Sequence, residues 1–330
     1  MKVSLPFMKG MRIVFFGTPD FAVASLEALV ENGYDVVGVV TAADKPAGRG
    51  QKLQPSAVKS YALEQGLNVL QPTNLKSEDF VSTLRSLKAD IQIVVAFRML
   101  PEVVWNMPKL GTYNVHGSLL PDYRGAAPIN WAIINGEKTT GVTFFKLKHE
   151  IDTGNILNSK STAIDENETA GEVYSRLMHL GASLLIESLQ LIESESYTLQ
   201  EQKPTTLAKH APKIHKEDCE ISWEQPAENV HNFIRGMSPF PCAFSRVKED
   251  GKEEVWKISR SKKTINPCGA PNKLKSEGNR LFASCSDFWL EILEIQTPGK
   301  RRLTAAEFLN GYKGDIASIE IQKKPSGEGS

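Results

Sequence analysis

From Met11 onward, short runs rich in valine and isoleucine alternate with segments of helical spacing, and that alternation restricts the chain to few folds. Parallel strands lie under helices on both faces, so each reads as a continuous apolar run separated from the next by a crossover long enough for a helix. RIVFFG (12–17), DVVGVVTA (35–42), DIQIVVAF (90–97) and YNVHG (113–117) fit that description, and GVTFFKLK (141–148) follows them as a further strand. Between them, FAVASLEALVENG carries apolar residues at helical spacing and stops at Gly33, while SEDFVSTLRSLK opens on Ser77, a good N-cap. A long helix starts at Thr169, where Glu172 completes a capping box, and runs to about Glu193.

The pattern changes after Leu199. Residues 199–216 are polar, hold two prolines and show no periodicity, which predicts a linker. Beyond it, one helix (227–237) precedes alternating strands. CAFSRVKEDGKEEVWKIS reads as a hairpin around Glu249, Asp250 and Gly251, and LFASCSDFWLEILEIQ continues the β character. TAAEFLNGY adds a late helix with a second capping box, Thr304 and Glu307. The fold class is therefore α/β, a Rossmann-like doubly wound and mostly parallel sheet, followed by a small OB-like β-barrel. In residues, this gives an N-terminal extension (1–10), an α/β domain (11–198), the linker (199–216) and a C-terminal domain (217–330) ending in a polar tail.

Lysine plus arginine and aspartate plus glutamate both total 39, so no net field draws the whole molecule to a polyanion; nucleic acid would have to meet a local basic patch. Cys219, Cys242, Cys268 and Cys285 are widely spaced, without a C-x-x-C pair, and read as reduced thiols. The opening MKVSLPFMKG lacks the apolar core of a signal peptide, and no uncharged apolar run approaches the roughly 20 residues of a membrane span. These features predict a cytoplasmic protein that touches no membrane; a monomer is the expectation, though the sequence itself does not reveal the oligomeric state. No histidine stands at metal-ligand spacing, since His149-Glu150 lacks the second histidine of H-E-x-x-H; no catalytic metal is expected.

The first strand ends in GTPD (17–20) where a dinucleotide-binding chain would show G-x-G-x-x-G, and no P-loop follows; this argues against NAD and ATP. A tight strand-to-helix turn explains the tetrapeptide. In a strand through Thr112 and His116, residues two apart share a face, so Asn114 and His116 present their polar ends side by side. Such a pair often only satisfies backbone groups. Its position at the carboxyl end of a parallel strand, where open α/β sheets place ligand crevices, raises its interest.

The downstream residues sharpen the reading. Asn114-Val115-His116, then Ser118-Leu119-Leu120-Pro121, Arg124-Gly125-Ala126-Ala127-Pro128 and Ile151-Asp152-Thr153-Gly154 resemble the signature of the 10-formyltetrahydrofolate-dependent formyltransferases. More narrowly, FGTPDF (16–21) and DKPAGRG (44–50) resemble the branch of that family acting on methionyl-tRNA, and the match extends from Met11 to about Tyr312. Residues 122–123 and 149–150 depart modestly from the family pattern.

The resemblance implies transfer of formyl from 10-formyltetrahydrofolate, as cosubstrate, to the methionine α-amino group of initiator Met-tRNA. An amine attacking a formyl carbon produces an oxyanion, which needs fixed donors, and a surplus proton, which needs a route away. The implied catalytic residues are Asn114 and His116 as donors and Asp152 as the partner that stabilises a charged imidazole and takes the ammonium proton. Asp152 in a turn could equally bond local amides, and the two readings are compatible. Ser118, Leu119, Leu120 and Pro121 are the implied folate wall; Phe97, Arg98, Met99 and Leu100 are a second one, although Phe97 and Met99 suit a core equally well. Lys45, Arg49 and Lys52 in a glycine- and proline-containing loop, with Lys300, Arg301 and Arg302 on the C-terminal domain, are the implied tRNA contacts. Lys213 and Lys216 add to the basic surface. Without the resemblance, the loop would read as plain solvated surface. The same catalytic trio also serves enzymes acting on glycinamide ribonucleotide or amino sugar nucleotides, and a non-catalytic RNA-binding module is a third alternative.

Overall fold

The computed structural model describes residues 10–47, 52–203 and 208–324, without the side chains of Ala47 and Lys52. Arg49, residues 1–9 of the expected N-terminal extension and the final residues of the polar tail lie outside the described residues. Two compact units are present. The described residues up to Gly125, with Gly141–Thr162 and Tyr174–His210, form the first; Ala126–Thr140, Ala163–Val173 and the described residues from Ala211 onward form the second.

The first unit is built on a seven-stranded sheet. Its strands are β1 (Arg12–Gly17), β2 (Asp35–Val40), β3 (Val69–Leu70), β4 (Ile91–Val95), β5 (Gly111–His116), β6 (Thr139–Lys146) and β7 (Ile156–Ala163). They lie in the order β7-β6-β5-β4-β1-β2-β3. β1 pairs in parallel with β2 and β4, β2 with β3, and β4 with β5, whereas β6 runs antiparallel to β5. The chain therefore winds outward from β1 through β2 to β3, returns to β1's other side at β4, and leaves a switch point there. Covered on both faces, Ile13, Val14, Phe15 and Phe16 of β1 are all fully buried. Each such side chain contributes roughly 1.5–3 kcal/mol by leaving water, which is why β1 tolerates no polar alternation.

The helices follow their sequence signals. α1 (Asp20–Glu31) ends before Gly33, which takes a φ of +75° and lets the chain reverse into β2. α2 (Ala57–Glu64) is capped by Ser56, whose hydroxyl accepts the Lys59 amide. α3 (Glu78–Ser86) begins after Ser77, but that hydroxyl donates to the Asn74 carbonyl instead of capping. α4 (Glu102–Trp105) is a single turn leading towards β5, and α5 (Pro128–Ile134) starts on a proline, whose fixed φ suits a first helical position. α6 (Ala170–Glu193) buries Leu177, Leu184, Leu185 and Leu189 completely. None of the helices among the described residues is long and apolar enough to cross a membrane.

The second unit holds α7 (Ala227–Gly236) and α8 (Ala305–Gly311) with a curled antiparallel sheet. Its strands are β8 (Ala243–Glu249), β9 (Lys252–Pro267), β10 (Leu274–Glu277), β11 (Arg280–Ser284), β12 (Phe288–Gln296) and β13 (Glu320–Ile321), in the order β10-β11-β12-β9-β8-β13. Asp250 and Gly251 make the β8–β9 turn with φ of +47° and +78°, the two left-handed positions that a two-residue hairpin of this hand demands. Register shifts along the β9–β12 pairing bend the long β9, and a bridge between Lys273 and Glu320 joins the two edges of the sheet. The result is a half-barrel around Trp223, Trp256, Ile258, Leu281 and Ile292. The Trp223 indole, buried there, donates to the Ser245 hydroxyl at 2.7 Å. Cys219, Cys242 and Cys285 are buried without disulfides, and burial pushes the Cys285 thiol up to about 12.

Candidate active site

On β5 the side-chain period separates two faces. Tyr113 is fully buried and stacks on Phe144 with centroids 5.0 Å apart; Asn114 and His116 share the opposite face, at the strand's carboxyl end. Asn114 pairs with Val94 of β4 and Phe145 of β6, so the sheet fixes its backbone from both sides. Its side-chain Oδ1 is buried and has no hydrogen-bond partner among the described residues. A buried amide oxygen left in this way costs free energy, so its retention points to a ligand that completes it.

His116 is 7% exposed and its two nitrogens have different roles. Nε2 lies 2.9 Å from the Tyr123 carbonyl oxygen, which can only accept, so Nε2 carries hydrogen. Nδ1 faces Asp152 Oδ2 at 3.9 Å, across a gap longer than a hydrogen bond. Asp152 is only 12% exposed in its side chain. Asp152 Oδ2 also accepts the Gly125 amide at 3.0 Å, a partner 27 residues away rather than a neighbour within the turn.

The turn that carries Asp152 is held by an unusual backbone and close packing. Asp152 takes a φ of +54°, in the left-handed region, and Gly154 follows where any Cβ would collide with the Lys146 carbonyl oxygen. Only glycine lets β6 and this turn approach so closely. Gln202 braces the turn from beneath: its Nε2 donates to the carbonyls of Asp152 and Gly154 at 2.9 and 2.7 Å, and its Oε1 accepts from the Arg124 guanidinium at 3.1 and 2.6 Å.

The predicted ligand walls differ in what they leave free. Ser118 is fully buried and its hydroxyl donates to the Asp122 carbonyl at 2.7 Å; Thr143 donates to the Ser118 carbonyl at 2.7 Å and accepts the Leu120 amide at 3.1 Å. Leu119 and Pro121 are half-buried and Leu120 is buried, with a cis bond between Leu120 and Pro121. In the other segment Phe97 packs edge-on against Phe16 at 5.6 Å and Leu100 belongs to the core. Arg98 donates to the carbonyls of Pro72 and Thr73, while Met99 is 70% exposed.

Lys45 is exposed in a short ribbon, Lys45–Ala47 against Lys52–Gln54. Asp44 anchors its base through Lys59 at 2.6 Å and Gln71 at 2.8 Å; the hydrogen bond from Lys59, then that from Gln71, hold the Asp44 carboxyl below its usual range. In the second unit Lys213, Lys216 and Lys300 are exposed. Arg301 pairs with Glu307 at 2.8 Å and Arg302 faces Glu294 at 3.8 Å, so two of these cations already have carboxylate neighbours.

Asn114, His116 and Asp152 thus belong to one unit, with His116 and Asp152 face to face. The supporting groups, Gln202, the Tyr123 carbonyl and the Gly125 amide, were missed at the level of sequence. Arg124 and Gly125 stood within a recognised motif, but Gln202 carried no signal of its own.

The architecture defines an α/β domain with a site at its strand ends, followed by a β half-barrel. A family model for formyl transferases matches residues 11–189, and one for the formyl transferase C-terminal domain matches residues 213–313; the chain belongs to the formyl transferase family. It is 51% identical over 308 residues to the methionyl-tRNA formyltransferase of Bacteroides fragilis, covering 92% of this chain and 95% of that one. With the methionyl-tRNA formyltransferase of Flavobacterium johnsoniae the identity is 48% over 305 residues, covering 92% and 97%. In fold it resembles the N-formyltransferase of Helicobacter canadensis, solved with folinic acid and dTDP-3-aminofucose (TM-score 0.66, 23% identity, 87% of this chain and 100% of that one). It also resembles HypX of Aquifex aeolicus, solved with tetrahydrofolic acid (TM-score 0.62, 20% identity, 92% of this chain and 48% of that one).

Proposed function

We propose that this protein transfers the formyl group of 10-formyltetrahydrofolate to the α-amino group of methionine on initiator tRNA, in the cytoplasm and as a monomer. The observation that carries the reading is the His116 to Asp152 pair, set beside Asn114 at the end of β5, whose buried Oδ1 has no partner among the described residues. The folate, when bound, supplies the electrophilic formyl carbon. Asp152 accepts a proton from the methionyl ammonium and so frees the amine to attack. Asn114 offers its amide to the formyl oxygen as negative charge develops there. His116, with Nε2 fixed on the Tyr123 carbonyl, delivers a proton from Nδ1 to the folate nitrogen as its bond to the formyl carbon breaks, and takes up the second proton that the attacking nitrogen sheds in becoming an amide, so the ring ends as it began and the proton on Asp152 passes to solvent.

In this reading the 118–121 segment and exposed Met99 contact the folate, residues 11–198 carry the chemistry, and residues 217–330 with the basic loop hold the tRNA. The relatives at about half identity favour charged tRNA over small amines as the acceptor. Purified protein, given 10-formyltetrahydrofolate and each candidate in turn, should formylate charged initiator tRNA. Turnover only with glycinamide ribonucleotide or an amino sugar nucleotide would refute the acceptor assignment, and tRNA binding without any transfer would refute the enzyme.

A further inference from the structure

Gln202 is 7% exposed, and both ends of its amide are engaged. Nε2 donates to the Asp152 and Gly154 carbonyls, and Oε1 accepts two hydrogens from Arg124, which joins three segments distant in sequence. The turn it holds is one that an L-residue rarely keeps unaided, with Asp152 at a φ of +54°. Within the turn itself the bond from the Thr153 hydroxyl to the Glu150 carbonyl is exposed to water and correspondingly weak.

We infer that Gln202 is a positioning residue for formyl transfer: its amide fixes the turn so that Asp152 Oδ2 stands at once on the Gly125 amide and opposite His116 Nδ1. The inference rests on the proposed role of Asp152 as proton acceptor. The chemistry selects this side chain. Two donors must point at carbonyls while an acceptor meets a guanidinium, which a lysine, arginine, glutamate or methionine cannot do.

Two full-length variants separate the parts. Gln202→Met removes every hydrogen bond at similar length; Gln202→Glu keeps an acceptor for Arg124 and loses the donors. Steady-state formyl transfer gives kcat and KM, and the amide resonance of Gly125, whose hydrogen lies on Asp152, reports the carboxylate without any need for turnover. In both variants kcat should fall by about 100-fold, the loss that a misplacement of about 1 Å produces, with KM for both substrates changed by less than about threefold. The Gly125 amide proton should move upfield towards its position in Asp152→Ala. A purely structural role would lower Tm but leave kcat of the folded protein and that resonance unchanged, and this result overturns the inference. If the wild-type protein transfers no formyl group, the functional reading fails instead; the Gly125 resonance then decides the positioning alone, movement supporting it and constancy overturning it.

Discussion

The Nε2 hydrogen of His116 is committed to the Tyr123 carbonyl, which leaves Nδ1 as the edge facing Asp152 and, in the proposed function, the one that exchanges a proton during turnover. His116→Ala and Asn114→Ala should each lower kcat by about 100- to 1,000-fold, the usual cost of one donor at a developing oxyanion. Equilibrium folate binding should persist in both, and unchanged turnover in either would remove that residue from the site. The placement of the two side chains was legible because a strand period of two sets residues 114 and 116 on one face, and because the carboxyl end of a parallel strand is where open α/β sheets place ligand crevices. Their supports were not. The Tyr123 carbonyl and the Gly125 amide are backbone groups that any residue would supply, and Gln202 meets its partners through contacts spanning 48 to 78 residues, which no local pattern encodes.

At the scale of elements, the Asp152 turn depends on close approach to β6. Gly154→Ala would press a methyl group onto the Lys146 carbonyl, and overpacking of this kind costs about 1–3 kcal/mol. A lowered urea midpoint together with lost activity would bear this out; wild-type values for both would show that the turn yields freely. α6 offers a pH test. Burial alone would raise the Glu172 carboxyl, but the Thr169 amide, Arg260 and the Thr169 hydroxyl outweigh burial and hold it at about 2 against an ordinary 4.5. A depressed carboxyl stabilises the fold above its unfolded value and loses that contribution as pH falls from 4.5 towards 2. Glu172→Gln should therefore lower stability near neutral pH and converge with wild type towards pH 2, measured as urea midpoints. A difference constant across that window would contradict the linkage. Both capping boxes, at Thr169 and Thr304, were legible because their bonds are local; the missing cap at Ser77 was not, since its hydroxyl turned to Asn74.

For the whole molecule, balanced charge means that tRNA must be held by local cations. Binding of charged tRNA should weaken with salt as counterion release loses its advantage, and Arg49→Ala should reduce the slope of log K against log salt by about 1. An unchanged slope would remove Arg49 from the contacts. Arg301→Ala should change it less, because Glu307 already neutralises that guanidinium. The parallel and antiparallel halves of the chain were legible from periodicity, because a strand covered on both faces and a half-exposed strand bury different positions. The assignment of Ala126–Thr140 and Ala163–Val173 to the second unit was not, since it arises from packing of segments far apart in sequence. The most direct test is the single-turnover rate of formyl transfer from 10-formyltetrahydrofolate to Met-tRNA by Asp152→Asn. That substitution keeps the shape and removes the proton acceptor, so the rate should drop by about 100- to 10,000-fold with folate affinity retained. A rate equal to wild type would show that the carboxylate facing His116 takes no part in the reaction.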